Sequence, residues 1–309
     1  MNNYVDQLLL FAHKIKKCQD SKYYGRILTI EQNKKGVITI DSVKGCTMGA
    51  SKYPTGGCYG ECYAYAAAVR YGIDFTTSVS RKFLDREHLA TIMHILNNFG
   101  VTWYRMGVAG DPSHDWNNTL VVCNALRYAG KVAVITTKHW IKLSNYQIDK
   151  LKDLAVVFNT SISGLDSDEE IDHRISQARR IAETGIPSIY RIVTCKFGSS
   201  KWAKQCREKQ DYLLSLWPII DNPFRVSKSN PHVINGDIEI IYRKNSIGGK
   251  YVSLNDESTY LGKCETCPDQ CGVDFNSIKK ARKFIDIKQM DLFNNERSTL
   301  NEHRATATI

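Results

Sequence analysis

The stretch from Cys46 to Tyr65, CTMGASKYPTGGCYGECYAY, decides the reading of this chain. Eleven residues separate Cys46 from Cys58, and three separate Cys58 from Cys62. Thiolates are soft ligands, and such a set suits zinc or an iron–sulfur cluster. No fourth cysteine trails close behind. A structural zinc site closes all four positions, whereas a reactive site keeps one open. A cubane held by three thiolates likewise leaves one iron free for a ligand. Three unrelated buried cysteines are the bland alternative, since free cysteine is a common core residue. The glycines of the stretch and Pro54 weigh against it, because they make a wrap that can fold back on an ion.

The surrounding chain sets bounds on that reading. Its 309 residues suffice for one large α/β domain or two small ones. Ten cysteines grouped by spacing, in a chain with no secretory signal, favour metal ligation over a disulfide framework. The apolar run Leu8-Leu9-Leu10-Phe11-Ala12 is too short for a membrane span and lacks a basic start and a cleavage site. A cytoplasmic location without membrane attachment is the expectation. Lysine and arginine number 42 against 32 acids, a formal charge of +10, which points to an anionic partner such as nucleic acid or a nucleotide. A solvated basic surface is the plain alternative.

Around the cysteines the pattern alternates. An amphipathic helix over 4–17 precedes a hairpin of Ile27–Ile30 with Val37–Ile40, giving an N-terminal unit over 1–40. After an alanine-rich helix from Tyr63 to Tyr71, helices are expected at 82–97, 115–128, 144–152, 168–184 and 201–216. Strands are expected at 101–106, 132–136, 154–160 and 189–194, with a further one near 238–242. Residues 222–235, with Pro223 and Pro231, read as loop. Mostly unbroken apolar strands alternating with helices build a parallel sheet covered on both faces. They are too few for an eight-fold barrel, and a partial six-stranded (β/α) barrel over 41–245 fits. Ligands bind at the carboxyl ends of such strands, where this chain turns polar: Gly107 to Asp111, Thr136 to Lys138, Asn159 to Ser161, and Arg191.

The arrangement Cys46, long gap, Cys58-x-x-x-Cys62-Tyr63-Ala64 resembles the phage-associated branch of radical-SAM-like proteins. In most radical SAM enzymes the three cysteines lie together as Cys-x-x-x-Cys-x-x-Cys; here the first stands far upstream. The resemblance covers roughly residues 40–275 in pattern. It implies the partial barrel and a [4Fe–4S] cluster on Cys46, Cys58 and Cys62. It also implies S-adenosylmethionine chelated at the open iron, with an electron donor supplying the charge that breaks the sulfonium bond to give a deoxyadenosyl radical. By strand order, Gly107 to Asp111 hold the methionine amino group, with Gly107, Gly110 and Asp111 at the turn. Tyr63, Thr136, Lys138, Asn159, Ser161 and Arg191 are further cofactor contacts. No separate hydrogen-atom donor stands out; Tyr65, Tyr104 and Cys195 are the candidates, though tyrosine is common here and usually packs. Phage-type relatives and the positive charge point to nucleotide or nucleic-acid modification.

A second group, Cys264, Cys267 and Cys271 in CETCPDQC, is expected to bind zinc or another iron–sulfur cluster on an extension over 246–293. Cys195 is the favoured fourth ligand and Cys206 the other candidate. Residues 294–309 form a polar tail expected to be disordered. His114 and His139 adjoin the strand ends, where a histidine is more often a cap than a ligand. The competing function is a non-catalytic, metal-stabilised nucleic-acid-binding protein, in which both cysteine groups are structural.

Overall fold

The computed structural model describes residues 25–32, 36–244, 251–263, 267 and 269–273. Strand β1 (Glu31–Gln32) turns back antiparallel onto β2 (Ile38–Thr39). The hairpin therefore starts later than its apolar run implied. Ile27 instead bridges Lys82, while Leu28 and Ile30 are buried in the core. The short pair β3 (Val43–Lys44) and β4 (Val79–Ser80) encloses the cysteine loop, with helices α1 (Thr47–Lys52) and α2 (Tyr63–Arg70) inside it.

The alternation then follows as the periodicity predicts. Helix α3 (Arg86–Asn98) leads to β5 (Trp103–Met106), and α4 (Trp116–Tyr128) to β6 (Val132–Thr137). Helix α5 (Asn145–Lys152) precedes β7 (Val156–Ser163), and α6 (Asp168–Glu183) precedes β8 (Ser188–Thr194). Local chemistry sets the boundaries. Asp85 accepts the His88 N–H and starts α3 four residues past the expected Lys82, while Ser167 and Glu170 close a capping box on α6.

The region after β8 departs from expectation. Strand β9 (Lys196–Phe197) and helix α7 (Lys201–Leu214) lead to β10 (Ile219–Arg225), which runs straight through Pro223. Strand β13 (Tyr251–Ser253) pairs only with Phe224 and Arg225, so Pro223 sits where no partner on that side requires its missing N–H. A one-turn helix α8 (Pro231–Ile234) follows. The segment read as one strand near 238–242 is two short ones: β11 (Ile238–Glu239) pairs with β9, and β12 (Ile241–Tyr242) with β13. Because β13 belongs to the main sheet, no separate extension begins at residue 246. The expected helix at 4–17 and the tail 294–309 lie outside the described residues, as does Cys264.

The main sheet runs β1-β2-β5-β6-β7-β8-β10-β13-β12, and β2, β5, β6, β7, β8 and β10 are consecutively parallel. The protein is thus mixed α/β with a large, mostly parallel sheet. Register divides its faces sharply. Tyr104, Met106, Ala133, Ile135, Phe158, Ile162, Tyr190 and Ile192 share one face and pack under α3 to α7. Each such large side chain contributes about 1.5–3 kcal/mol when fully buried. The other face begins apolar, with Val134 and Val157, and becomes polar toward the carboxyl ends: Arg105, Thr136, Asn159, Ser161, Arg191 and Asn222. Continuous apolar strands covered on both sides were the expectation; the register instead leaves one face polar toward the carboxyl ends of the strands.

Candidate functional site

The cysteine loop is fastened to the end of β5 by backbone. Gly45 and Gly110 form a parallel bridge, and Gly45 donates to the Ala109 carbonyl at 2.9 Å. Cys46 then caps α1, Cys58 opens a 3-10 turn over Cys58–Gly60, and Cys62 caps α2. All three line one cleft together with Tyr63, Gly107, Gly110, Asp111, Thr136, Lys138, Trp140 and Ser161. The cleft therefore lies at the carboxyl ends of β5, β6 and β7, where the polar strand ends pointed.

Two glycines are the absent walls around the sulfurs. A Cβ on Gly49 would stand 2.8 Å from the Cys46 Sγ and 3.4 Å from the Cys58 Sγ. At Gly57, which has φ of 68°, a Cβ would crowd the Cys62 side chain. Burial pushes all three thiols up, Cys58 to about 11, with Lys138 opposing the rise at Cys58 and Cys62. Thiols held protonated by burial give up their protons when a cation binds. Among the described residues, no three His, Cys, Asp or Glu side chains converge at the spacing that holds a single metal ion. Two further polar atoms at the cleft, Trp140 Nε1 and Thr136 Oγ1, are buried without a hydrogen-bond partner.

The Gly107–Asp111 turn is scaffolded from behind by a residue that sequence reasoning passed over. Buried Asp41 accepts the N–H groups of Gly107, Val108 and Ala109 at 2.8, 2.9 and 2.8 Å. Those amides are therefore turned to Asp41. Burial raises the Asp41 carboxyl, with the Val108 and Ala109 amides pulling the other way. A side chain on Gly107 would collide with the Thr136 carbonyl, and one on Gly110 with the Val43 and Gly45 carbonyls. The glycines serve close backbone packing between strand ends. Asp111 faces the cleft, but its carboxylate accepts from Ser113 N, Thr137 Oγ1 and Lys138 N at 2.9, 2.6 and 2.8 Å. Tyr63, still 61% exposed, donates to the Val108 carbonyl at 2.6 Å.

Lys138 belongs to a buried ionic network. Its ammonium donates to the Tyr59 hydroxyl at 2.6 Å, Tyr59 donates to Asp166 at 2.6 Å, and Asp166 forms an ion pair with Arg174. Arg174 also bonds the Lys138 carbonyl and pairs with Glu170, which Lys52 of α1 reaches. Tyr59, placed between Cys58 and Cys62, sits at φ of 57°. Nothing in the sequence linked Tyr59 to Asp166, more than a hundred residues away, because only folding brings them together.

The remaining candidates divide. His114 Nε2 stands 3.5 Å from the Cys46 Sγ, and burial holds its imidazole below the ordinary range against the pull of Asp111. His139 turns away. It stacks on Phe158, bonds Thr160 at 2.9 Å, and is pushed down to about 3 by burial. Asn159 and Arg191 do not line the cleft; they meet the second cysteine group instead. Asn159 Nδ2 donates to the Cys271 carbonyl at 3.0 Å, and Arg191 Nη1 approaches the Cys271 Sγ at 4.0 Å. Cys195 is buried with Cys206, Phe197 and Phe224, and the second cysteine group is described only at Cys267 and Cys271. Tyr104 lies on the helical face and Tyr65 packs edge-on to Phe75; neither these nor Cys195 line the cleft.

Comparison with protein-family models and with characterised protein sequences finds no match to this chain. Among the described residues, no helix is long and apolar enough to cross a membrane.

Proposed function

We propose that the protein is a radical SAM enzyme, with its parallel strands forming a partial six-stranded (β/α) barrel. Cys46, Cys58 and Cys62 would hold a [4Fe–4S] cluster, and the strand-end residues around them would hold S-adenosylmethionine. The observation that carries this reading is the meeting of three cysteines from a glycine-rich loop with the ends of three parallel strands in one cleft. Gly49 and Gly57 leave the space a cluster needs.

When bound, the cluster supplies the electron for reductive cleavage of the sulfonium bond, and an external donor must reload it. The chain's own residues supply the surroundings. Lys138 brings a cation to the side of Cys58 and Cys62. Trp140 Nε1 and the Thr136 hydroxyl are open partners for a polar ligand. Thr136, Lys138, Ser161, Tyr63 and the Gly107–Asp111 turn are the cofactor contacts this reading retains. The substrate class remains nucleotide or nucleic acid by charge, and the location cytoplasmic, where reduced thiols persist.

Anaerobic incubation of the reduced protein with S-adenosylmethionine tests the reading. Formation of 5′-deoxyadenosine, with loss of product in Cys58→Ala, is the expected result. A colourless protein holding zinc and releasing no deoxyadenosine would favour the metal-stabilised nucleic-acid-binding alternative.

A further inference from the structure

Two open hydrogen-bonding groups stand side by side on the polar face of the sheet. Register pairs Thr136 of β6 directly with Asn159 of β7, so both side chains leave the same face. The Thr136 Oγ1 and Asn159 Oδ1 atoms are buried, and neither has a hydrogen-bond partner among the described residues. Asn159 as a whole is fully buried. Its amide cannot be turned round, because Nδ2 donates to the Cys271 carbonyl at 3.0 Å and a carbonyl only accepts. Asn159 therefore presents an acceptor and nothing else, whereas the Thr136 hydroxyl donates or accepts.

The surroundings of the pair limit what can fill it. The charged side chains that line the cleft, Asp111 and Lys138, already have protein partners. The open groups are neutral, Trp140 Nε1 among them, so the part of a ligand they hold is neutral and polar. Tyr63, Phe75 and Trp140 give the cleft aromatic walls, which suit a flat ring. A buried group left unpaired is destabilising, and a ligand that pairs it gains what the free protein lacks. The edge of a nucleobase with an exocyclic amine meets these demands, because the amine donor stands next to a ring-nitrogen acceptor.

We infer that the Thr136–Asn159 pair recognises the amine-bearing edge of a substrate nucleobase. Asn159 Oδ1 accepts from the exocyclic amine, and the Thr136 hydroxyl donates to the neighbouring ring nitrogen. This rests on reading the cleft as the reaction site and names its substrate class. The adenine of S-adenosylmethionine has the same edge, but Asn159 lies away from the cysteines. Its strand is two removed from β5, to whose end the cysteine loop is fastened. It also stands outside the cleft, against the Gln270–Gly272 turn. Thr136 then meets the substrate, leaving Lys138, Ser161, Tyr63 and the Gly107–Asp111 turn to the cofactor.

Calorimetric titration of the full chain, purified anaerobically, tests this with and without saturating S-adenosylmethionine. The probes are adenosine and inosine monophosphates, and cytidine and uridine monophosphates, pairs of equal charge that differ at the amine. In at least one pair the amino base should bind more tightly by about tenfold or more, because its counterpart sets a carbonyl against the Asn159 acceptor. Thr136→Val should weaken the amino base by about tenfold, with recovery in Thr136→Ser. The melting temperature of free Thr136→Val should hold or rise, since the hydroxyl it removes has no partner there. Asn159→Leu should erase the preference within the pair. Failure of every probe to bind, equal binding within both pairs, unchanged affinity in Thr136→Val, or a preference that survives Asn159→Leu overturns the proposal. So does competition with S-adenosylmethionine, which would assign the pair to the cofactor's adenine. Deoxyadenosine formation without amine-selective binding sinks this inference alone; amine-selective binding without deoxyadenosine formation sinks the enzymatic reading alone.

Discussion

The Lys138 ammonium donates to the Tyr59 hydroxyl at 2.6 Å, joining the end of β6 to the turn between Cys58 and Cys62. The same ammonium lies 4.6 Å from the centre of the Tyr59 ring. One buried lysine therefore fixes the position of the cysteine turn and sets the charge beside its sulfurs. The arrangement holds only while Asp166 balances Lys138 and Arg174.

Asp166→Asn removes that balance. Burial alone would raise the Asp166 carboxyl, but Lys138 and Arg174 outweigh it and hold the group below its ordinary value of 3.8. A carboxylate depressed by folding adds stability that is complete above the unfolded pKa and is lost as pH falls through the folded one. At neutral pH the substitution should cost about 3–5 kcal/mol, because it leaves two buried cations facing a neutral amide. Urea unfolding measures this. The variant should also lose part of the parent's acid sensitivity below about pH 4; equal stability of the two proteins at pH 7 would show that the network is idle.

Gly49→Ala separates helix stability from cluster loading. Alanine at a helical glycine ordinarily stabilises by about 0.5–1 kcal/mol. Here the added methyl points between the Cys46 and Cys58 sulfurs. The methyl must push the Cys46 sulfur aside, which offsets the helix gain. The metal-free variant should still fold but melt no higher than the parent, and it should retain little iron and sulfide. Full iron content in a well-folded variant would place the cluster elsewhere.

Asp111→Ala should act through the fold. Its carboxylate takes three hydrogen bonds, from Ser113, Thr137 and Lys138. Losing them should destabilise by about 1–3 kcal/mol, seen in thermal unfolding without any ligand. A variant of parental stability that binds S-adenosylmethionine weakly would instead restore direct contact with the cofactor.

Replacing Cys46, Cys58 and Cys62 together by alanine should abolish iron and sulfide bound at this cleft and the associated visible absorbance. Spectra and metal analysis of anaerobically purified protein decide it. The apolar face under α3 to α7 lies elsewhere, so the triple variant should still fold. Unchanged iron and sulfide would remove the cluster assignment.

The sequence by itself determined the elements that local chemistry controls. The period and capping of α6, the apolar strands β5 to β8, the glycine-rich cysteine loop and the polar strand ends were all legible, because each is encoded within a few adjacent residues. Tertiary structure decided what depends on distant partners. It drew β10 through Pro223 as the sixth parallel strand, since a proline is tolerated where one side of a strand has no partner. It turned three amides of the Gly107–Asp111 loop toward Asp41, and it built the Tyr59–Lys138–Asp166–Arg174 network from three separate segments. It also divided the strand-end residues, sending Thr136, Lys138 and Ser161 to the cysteines and Asn159 and Arg191 to Cys271. Sequence order marks a strand end as polar, but register and the segment folded over it decide which neighbour that polarity meets.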